Sequence, residues 1–534
     1  MRPVNAACTD ALYSVEATRA MELQAAARLP PHQLMARAGL AVARLACALE
    51  PHARWIWVAC GPGNNGGDGL VAATHLHQWA RSSGSSTRVV VTHWAGPSSK
   101  DRSLPPDAAQ ALRQAQAAGV CFAAHPPEDY DLAIDAVFGI GLSRAPEGLA
   151  ERWVELLRGT PKTVLCVDVP SGLNADTGTW MPLSRAVLGA AGSRHTLALL
   201  ALKPGLFTAD GRDAAGRVWF DDLQVTPSDH HPPCARLNGW ADPAPGQSKR
   251  SHASHKGSFG DVVVVGGQDI AAHGSGMTGA AVLAARAALH AGAGRVYVGL
   301  LEAHPPAATN AVRWDPSSPE LMFRSVNTLL DSPLLASAAV VCGCGGGSAV
   351  ATVLPHMLSR AHTLVLDADA LNAVASDTTL QALLSERSDR GWSTVLTPHP
   401  LEAARLLCCS TADVMADRLN AAQTLSERFN AVCVLKGSGT VITAPKQMPR
   451  INPTGNAGLA TAGTGDVLAG MLGSALAQPG LTPEQQHERL AHAVFQHGWL
   501  ADQWPVATDF LGAEGGVIKT LTASRLADRV HPIG

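Results

Sequence analysis

Charge is scarce in this sequence: Asp, Glu, Lys and Arg make up 16% of its 534 residues, and the formal net charge is -3. A nucleic-acid surface or a polybasic membrane patch needs a large positive excess, so neither nucleic acid nor membrane is expected as a partner. Cysteine is present but unorganised. The 11 Cys include the near neighbours Cys342 and Cys344 and the adjacent Cys408 and Cys409, with no C-x-x-C pair. Zinc is therefore not expected, no disulfide framework is supported, and a reducing compartment fits. Long hydrophobic runs are missing too. No window of about 18 residues is uniformly apolar, so no membrane-spanning helix is expected. Residues 1–10 hold no apolar signal core, which makes a cytoplasmic location the expectation. Against these absences stand 46% hydrophobic residues, enough for two or three globular domains.

One stretch dominates the second half. Asn452-Pro-Thr-Gly-Asn-Ala-Gly-Leu-Ala-Thr-Ala-Gly-Thr-Gly-Asp466 runs without a break into the apolar, helix-compatible residues 467–473. A Gly-rich turn that opens a helix aims unpaired N–H groups and the positive dipole end at one point, and so binds phosphate. Gly463 and Gly465 would admit close approach of an anion. Asp466 at the helix mouth is either a capping residue or a general base that takes a proton from a hydroxyl beside the phosphate.

The first half has its own glycine-rich turn. Residues 12–50 read as helical, with Leu34, Met35, Ala38, Ala41 and Val42 at helical spacing. Residues 55–60 read as a buried strand, leading into Gly61-Pro-Gly-Asn-Asn-Gly-Gly-Asp-Gly69 and a helix over 70–80. Gly61, Gly63 and Gly66 satisfy the dinucleotide fingerprint G-x-G-x-x-G. That fingerprint also requires an acid at the end of the next strand, to hold a ribose. The strand over 88–92 ends instead in His93, Trp94 and Ala95, so an ordinary hydride-transfer site is excluded. Further strands over 132–138 and 163–169, with a helix over 147–158 between them, imply a parallel sheet. Ligands bind at the carboxyl ends of such strands, where Asn64, Asn65, Asp68, Asp135, Asp168 and Ser171 fall. Pro227, Pro232, Pro233, Pro243 and Pro245 then crowd together, which predicts a linker over 227–250 between domains over 1–226 and 251–534. Strands over 261–265, 295–300, 339–342, 363–367, 394–396 and 431–435, with an Ala-rich helix over 277–291, make the second domain α/β as well.

Four motifs of the first half occur in one order: Gly63-Asn-Asn-Gly-Gly-Asp-Gly69, Asp135-Ala-Val-Phe-Gly-Ile-Gly-Leu142, Asp168-Val-Pro-Ser-Gly-Leu-Asn-Ala-Asp-Thr-Gly178 and Leu202-Lys-Pro-Gly-Leu206. Together they resemble the NAD(P)H-hydrate epimerase domain. In the second half, Lys256-Gly-Ser-Phe-Gly260, Leu366-Asp-Ala-Asp-Ala-Leu-Asn372, Thr397-Pro-His-Pro400, Lys436-Gly437 and Gly463-Thr-Gly-Asp466 resemble the ADP-dependent NAD(P)H-hydrate dehydratase domain. The order of the two is similar to that in the bifunctional NAD(P)H-hydrate repair family. The implied fold class is α/β, a Rossmann-like three-layer domain followed by a ribokinase-like three-layer domain. Two departures stand out. The family's usual Leu-Met-Glu-Arg-Ala-Gly appears as Leu34-Met-Ala-Arg-Ala-Gly39, and its usual Gly-Pro-Gly-Leu-Gly as Gly343-Cys-Gly-Gly-Gly347.

The resemblance implies site residues. In the first half, Asn65, Asp135 and Ser171 would ligate potassium, a hard cation suited to oxygen donors; the plain alternative is that all three cap turns. Asn64, Asn65, Gly66, Gly67, Asp68, Gly139, Ile140, Gly141, Leu142, Ser143, Arg144, Ala145 and Asp168 would line the hydrated nucleotide, NADHX or NADPHX. Asp168 is the acid–base candidate there, or else a strand-end acid bonded to loop N–H groups. In the second half, Ala280, Gly345, His399 and Asp466 would contact the hydrate. Lys436, Gly437, Ser438, Gly439, Thr440 and Gly465 would hold the adenine nucleotide. The segment 436–440 is no Walker loop, and it also suits a hairpin turn. His399 alone would be structural; the resemblance makes it a substrate contact. Asp367 and Asp369 would hold magnesium, which accompanies ADP, through water, or cap a helix.

The activity implied is repair: epimerisation of the R and S hydrates, and ADP-dependent dehydration of the S form to NAD(P)H with release of AMP and phosphate. A homo-oligomer is expected. The alternative is a ribokinase-like small-molecule kinase fused to a non-catalytic nucleotide-binding module. Such kinases usually carry Asp-Thr-x-Gly-Ala-Gly-Asp, where this chain has Ala460-Thr-Ala-Gly-Thr-Gly-Asp466.

Overall fold

The structure is a computed structural model that describes residues 1–94, 104–142, 144–184, 192–226, 231–240, 251–270, 276–301, 315–504, 506–507, 517–518 and 520–533. The chain divides into two compact units, one of Met1–Asn5 with Asp10–Ala235 and one of Ala6–Thr9 with Arg236–Gly534.

Uninterrupted apolar runs build the sheet of the first unit. Trp55–Cys60 is buried along both faces from Ile56 onward, as a central parallel strand must be. The 8-stranded sheet runs in the order Arg2–Pro3, Arg217–Asp221, Arg194–Leu199, Thr163–Val167, Leu132–Ala136, Trp55–Cys60, Arg88–His93, Cys121–Ala123. Only Arg2–Pro3 is antiparallel to its neighbour. Trp55–Cys60 pairs with Arg88–His93 on one side and Leu132–Ala136 on the other, so the chain reverses its direction of travel at this strand. That reversal opens a crevice at the carboxyl ends.

Two local readings of the sequence differ from the structure here. The helical region expected over 12–50 is two helices, Val15–Arg28 and Gln33–Leu49. Pro30 and Pro31 cannot continue the first, and the chain turns at His32 with φ 65°. The glycines after Cys60 form no open loop. The helix starts at Asn64, with Gly63 as N-cap, and runs to Ser83. The glycines serve close packing instead: a Cβ on Gly66 would lie 1.9 Å from the Gly61 carbonyl oxygen.

The second unit repeats the logic on a wider sheet. Its parallel part runs Met322–Phe323, Arg295–Leu301, Asp261–Gln268, Ala339–Cys342, Thr363–Leu366, Ser393–Leu396, Val432–Leu435, followed by antiparallel Val441–Thr443 and Arg450–Ile451. Alternation along one strand separates two cores: Val262 and Val264 face one, Val263 and Val265 the other. Helices Thr278–His290, Thr464–Ala477 and Pro483–Asp502 cover the first face. Val350–Arg360, Asp369–Ser376, Pro400–Leu407 and Arg418–Phe429 cover the second. Both units are thus three-layer α/β folds, as expected. Within the stretch expected to be a linker, Ala235–Leu237 is a strand, with Arg236 and Leu237 paired to Arg450 and Ile451. The proline-rich composition concealed it because neither proline pair falls inside those three residues. Residues 227–230 and 241–250 lie outside the described residues.

Candidate active sites

In the first unit, acids gather at the carboxyl ends of the central strands. Asp135, near the end of Leu132–Ala136, is 3% exposed. Its Oδ2 accepts from the Ser171 amide at 2.9 Å, and its Oδ1 accepts from the Ser171 hydroxyl and from the Val137 amide. Burial raises its pKa, and the Ser171 bonds offset part of that rise. The Phe138 amide donates to Ser171 Oγ at 2.8 Å. Asn65 reaches the same place from the first turn of Asn64–Ser83: its Oδ1 would lie 3.1 Å from a Cβ on Gly139. Its buried Nδ2 has no hydrogen-bond partner. Asn65, Asp135, Ser171 and Gly139 therefore come together. Ser171 does more than the turn cap offered as its plain reading, since it bridges two strand-end loops.

Asp168 follows Thr163–Val167 with φ 67°, a left-handed conformation that is uncommon for a residue with a side chain. Its Oδ1 accepts from the Leu199 amide at 3.0 Å and from the Lys203 ammonium. Lys203 is fully buried and also donates to the Leu199 carbonyl at 2.8 Å. Glu22, from Val15–Arg28, belongs to this cluster and bonds Asn64. Burial raises the Glu22 pKa, with Asp168 adding to the rise. The Asp68 carboxyl is pushed well up, first by burial and then by Glu22 and Asp168. Three neighbouring acids, of which only Asp168 is ion-paired with the buried ammonium, cannot all carry charge comfortably. Glu22 had no sequence signal. Lys203 had one, its place in Leu202-Lys-Pro-Gly-Leu206, but no role attached to it. Ser143 lies outside the described residues; Gly139, Ile140, Gly141, Leu142, Arg144 and Ala145 follow the strand of Asp135 into the adjoining loop.

The Lys203–Asp168 pair invites a direct test. Lys203→Met should lower the unfolding free energy of the first unit by about 3–5 kcal/mol, because it strands a partly buried carboxylate among other acids. A urea midpoint equal to wild type would show that the ammonium does not offset that charge.

In the second unit, Gly463 is the N-cap of Thr464–Ala477, with φ 91°. A Cβ there would meet Leu283 Cδ1 at 2.7 Å and Ala523 Cβ at 2.8 Å, so both conformation and space require glycine. The Thr464 hydroxyl donates to the carbonyls of Leu459 and Thr461 at 2.8 and 3.0 Å and fixes the turn. His497 Nε2 meets the Thr464 carbonyl at 2.9 Å from Pro483–Asp502. Asp466 sits in the first helical turn, and the capping position belongs to Gly463. Burial, and then the charge of Asp367, push the Asp466 carboxyl up to about 6.

Lys436 ends the strand Val432–Leu435, and its ammonium donates to Asp367 Oδ1 at 2.6 Å. A Cβ on Gly465 would lie 3.4 Å from Lys436 Nζ, so this ammonium and the turn share one small space. The segment from Lys436 to Thr440 is also a hairpin, since Leu435 pairs with Val441; Gly437 and Gly439 take φ 137° and 64°, and Thr440 donates to the Gly437 carbonyl. Arg418, 1% exposed, lies under that hairpin and donates to the Lys436 and Gly439 carbonyls. Gly345 and Ala280 are adjacent: a Cβ on Gly345 would come within 2.8 Å of Ala280 Cβ.

His399 caps Pro400–Leu407: its Nδ1 accepts from the Leu401 and Glu402 amides at 3.1 and 3.4 Å. Its Nε2 lies 3.2 Å from Glu402 Oε1, and its side chain stays 46% exposed, so the ring both caps the helix and keeps a face free for a ligand. Asp369 Oδ2 accepts from the Gly347 amide at 2.8 Å. Glu402 and Arg418 are contributors that sequence reading missed; Thr397 had a signal, its place in Thr397-Pro-His-Pro400, but no role attached to it.

Two separate strand-end sites, one built around a Ser–Asp–Asn oxygen cluster and the other around a helix-opening Gly-Thr-Gly-Asp turn with a buried Lys, define a two-site α/β enzyme. Residues 31–205 match the family model described as YjeF-related protein N-terminus, and residues 262–513 match that described as NAD(P)H-hydrate dehydratase. The chain is 36% identical over 486 residues to the bifunctional NAD(P)H-hydrate repair enzyme Nnr of Escherichia coli (strain K12), covering 88% of this chain and 85% of that protein. It is 34% identical over 536 residues to the Coxiella burnetii protein of the same name, covering 98% and 99%. A crystal structure of ADP/ATP-dependent NAD(P)H-hydrate dehydratase from Bacillus subtilis, co-crystallised with ATP/Mg2+, is 30% identical with a TM-score of 0.40, covering 52% of this chain and 90% of that one. The chain belongs to the family of bifunctional NAD(P)H-hydrate repair enzymes.

Proposed function

We propose that the first unit interconverts the R and S hydrates of NADH and NADPH, and that the second dehydrates the S form at the expense of ADP. The hydrate carries a hydroxyl at C6 of the nicotinamide ring. In the second site Asp466 takes the hydroxyl proton, and the oxygen attacks the β-phosphorus of ADP. The bond from that phosphorus to the bridging oxygen breaks, and AMP leaves. Amides at the helix opening and the Lys436 ammonium stabilise the charge on the transferring group. Phosphate then departs from C6 as a proton leaves the neighbouring ring carbon, and the dihydronicotinamide is restored. The observation that carries this reading is the meeting of Asp466, Gly465 and Lys436 at one helix mouth. The hairpin from Lys436 to Thr440 holds the adenine nucleotide; Ala280, Gly345 and His399 hold the hydrate. Magnesium bound to the nucleotide would screen its phosphates, with Asp369 placed to hold it through water.

In the first site Asp168 moves the proton, and Asp68, whose carboxyl burial pushes up, is the complementary acid. The residues fit potassium. Their donors are oxygens, Asp135 is buried with no ion pair among the described residues, and the Asn65 amide is free to turn. Asn65, Asp135 and Ser171 would hold the ion, which neutralises the Asp135 charge and ties two loops together.

Purified protein incubated with mixed R and S hydrate, ADP and magnesium should consume both epimers and regain the near-ultraviolet dihydronicotinamide absorbance. Loss of the S form alone, with R decaying no faster than it does without protein, would remove the epimerase. A stable phosphorylated alcohol as the product would make the second unit a kinase.

A further inference from the structure

Cys344 takes no part in the chemistry above. It stands where the family usually has proline, in Gly343-Cys-Gly-Gly-Gly347, and it is fully buried. Its Sγ lies 3.8 Å from Asp367 Oδ2. That sulfur, an Asp367 oxygen and an Asp466 oxygen all lie within 4.8 Å of one another. The two oxygens of Asp367 are divided between tasks. Oδ1 accepts from Lys436 Nζ and from the Thr397 hydroxyl at 2.6 Å each, while Oδ2 faces Cys344. Outer-shell partners orient metal-bound carboxylates in this way, by holding one oxygen and leaving the other.

The geometry points to a zinc(II) site formed by Cys344 Sγ, Asp367 Oδ2 and the Asp466 carboxylate, whose occupation switches off the second active site. Tetrahedral zinc with sulfur at about 2.3 Å and oxygen at about 2.0 Å sets its S···O separations near about 3.5 Å. The observed 3.8 Å needs only a small closure. Charge favours a cation as well, because two carboxylates face one ammonium here. On binding, the Cys344 thiol loses its proton to solvent, a sulfur–zinc bond forms, and no redox change occurs. The Lys436 and Thr397 bonds to Oδ1 stay intact. A thiolate selects a borderline-soft ion over magnesium, which wants an octahedron of oxygens. Asp466 is the partly exposed member of the three, so the ion enters from its side, and zinc on Asp466 lowers the basicity of that carboxylate and stands between it and the C6 hydroxyl. The inhibitory half of this inference rests on the role of Asp466 proposed above; the binding half does not.

The test uses the full chain without nucleotide, with the exposed Cys121, Cys408 and Cys409 replaced by Ser as the parent. Cobalt(II), the spectroscopic stand-in for zinc, should give a thiolate charge-transfer band that saturates at one ion per chain and is displaced by zinc. Cys344→Ala should lose the band. In the dehydratase assay, micromolar zinc should slow the parent about tenfold or more, reversibly with a chelator, while Cys344→Ala stays within about twofold of its own zinc-free rate. A band that persists in Cys344→Ala, or equal zinc inhibition of both proteins, overturns the site. If neither protein dehydrates the hydrate, the cobalt titration still decides whether the metal binds.

Discussion

Asp466→Asn should lower dehydratase turnover by roughly 10²–10⁴, the usual worth of a positioned acid–base group, while ADP affinity holds or rises slightly. The change is nearly isosteric and leaves the turn unaltered, because Gly463 occupies the N-cap and the Thr464 hydroxyl bonds to Leu459 and Thr461 fix its shape. One negative charge leaves the nucleotide site, which favours a phosphate. The pH profile supplies a second readout. The Asp466 carboxyl is pushed up to about 6, so wild-type turnover should fall as pH drops through that value and the base becomes protonated. The residual activity of the variant should lack that limb. Near-wild-type turnover in Asp466→Asn would leave the phosphate turn as scaffold only.

Acid should destabilise the second unit steeply, through three histidines of one helix. His487, His492 and His497 in Pro483–Asp502 are 4%, 6% and 9% exposed. Burial is the main cause that lowers each from the usual 6.5 to about 4. Nearby cations add to it: Arg450 and Arg236 at His487, Arg489 at His492 and Lys436 at His497, with Glu488 opposing at His487 and the Thr464 carbonyl opposing at His497. Between these two values the unfolded chain binds protons that the folded unit refuses. The stabilisation is therefore complete above pH 6.5 and is lost as pH falls towards 4. Each histidine accounts for about 3 kcal/mol over that window, so three approach the whole stability of an ordinary domain. His492 stacks on Trp240 with ring centroids 4.7 Å apart, which makes His492→Phe the informative variant. Its unfolding free energy should depend on pH with a slope about one proton smaller. An unchanged slope would mean that His492 charges freely inside the fold.

What the sequence disclosed, and what it hid, follows from the range of the interactions. Residues 55–60 and 261–265 read as buried strands because an unbroken apolar run is a local signal, and both are strands. Asp466 was legible because its glycines, its own charge and its helix adjoin in the chain. Asp168 was legible as a strand-end acid, but its partner Lys203 lies 35 residues on, and only folding joins them. Glu22 was hidden for the same reason. It matters through one contact across the fold, and no periodicity marks it. The strand Ala235–Leu237 is too short to carry an alternating pattern.

The core of the second unit carries a consequence for synthesis. Val262 and Val264 share a cluster with Leu526, Val530 and Ile533. The Ile533 amide donates to the Ala291 carbonyl at 3.0 Å, and its own carbonyl accepts from Arg489 at 2.8 Å. Strands translated early in this unit thus share a core with residues translated about 270 positions later. At about 5–20 residues per second that gap lasts roughly 14–54 s. During it the all-apolar parallel strands have Thr278–His290 on this face but lack the rest of the covering layer, and they are the kind of segment that aggregates when left partly open. In the first unit the last strand of the 8-stranded sheet to be translated is Arg217–Asp221. For the second, yield in the cell depends on the ribosome finishing the chain and on what shields those valines until it does.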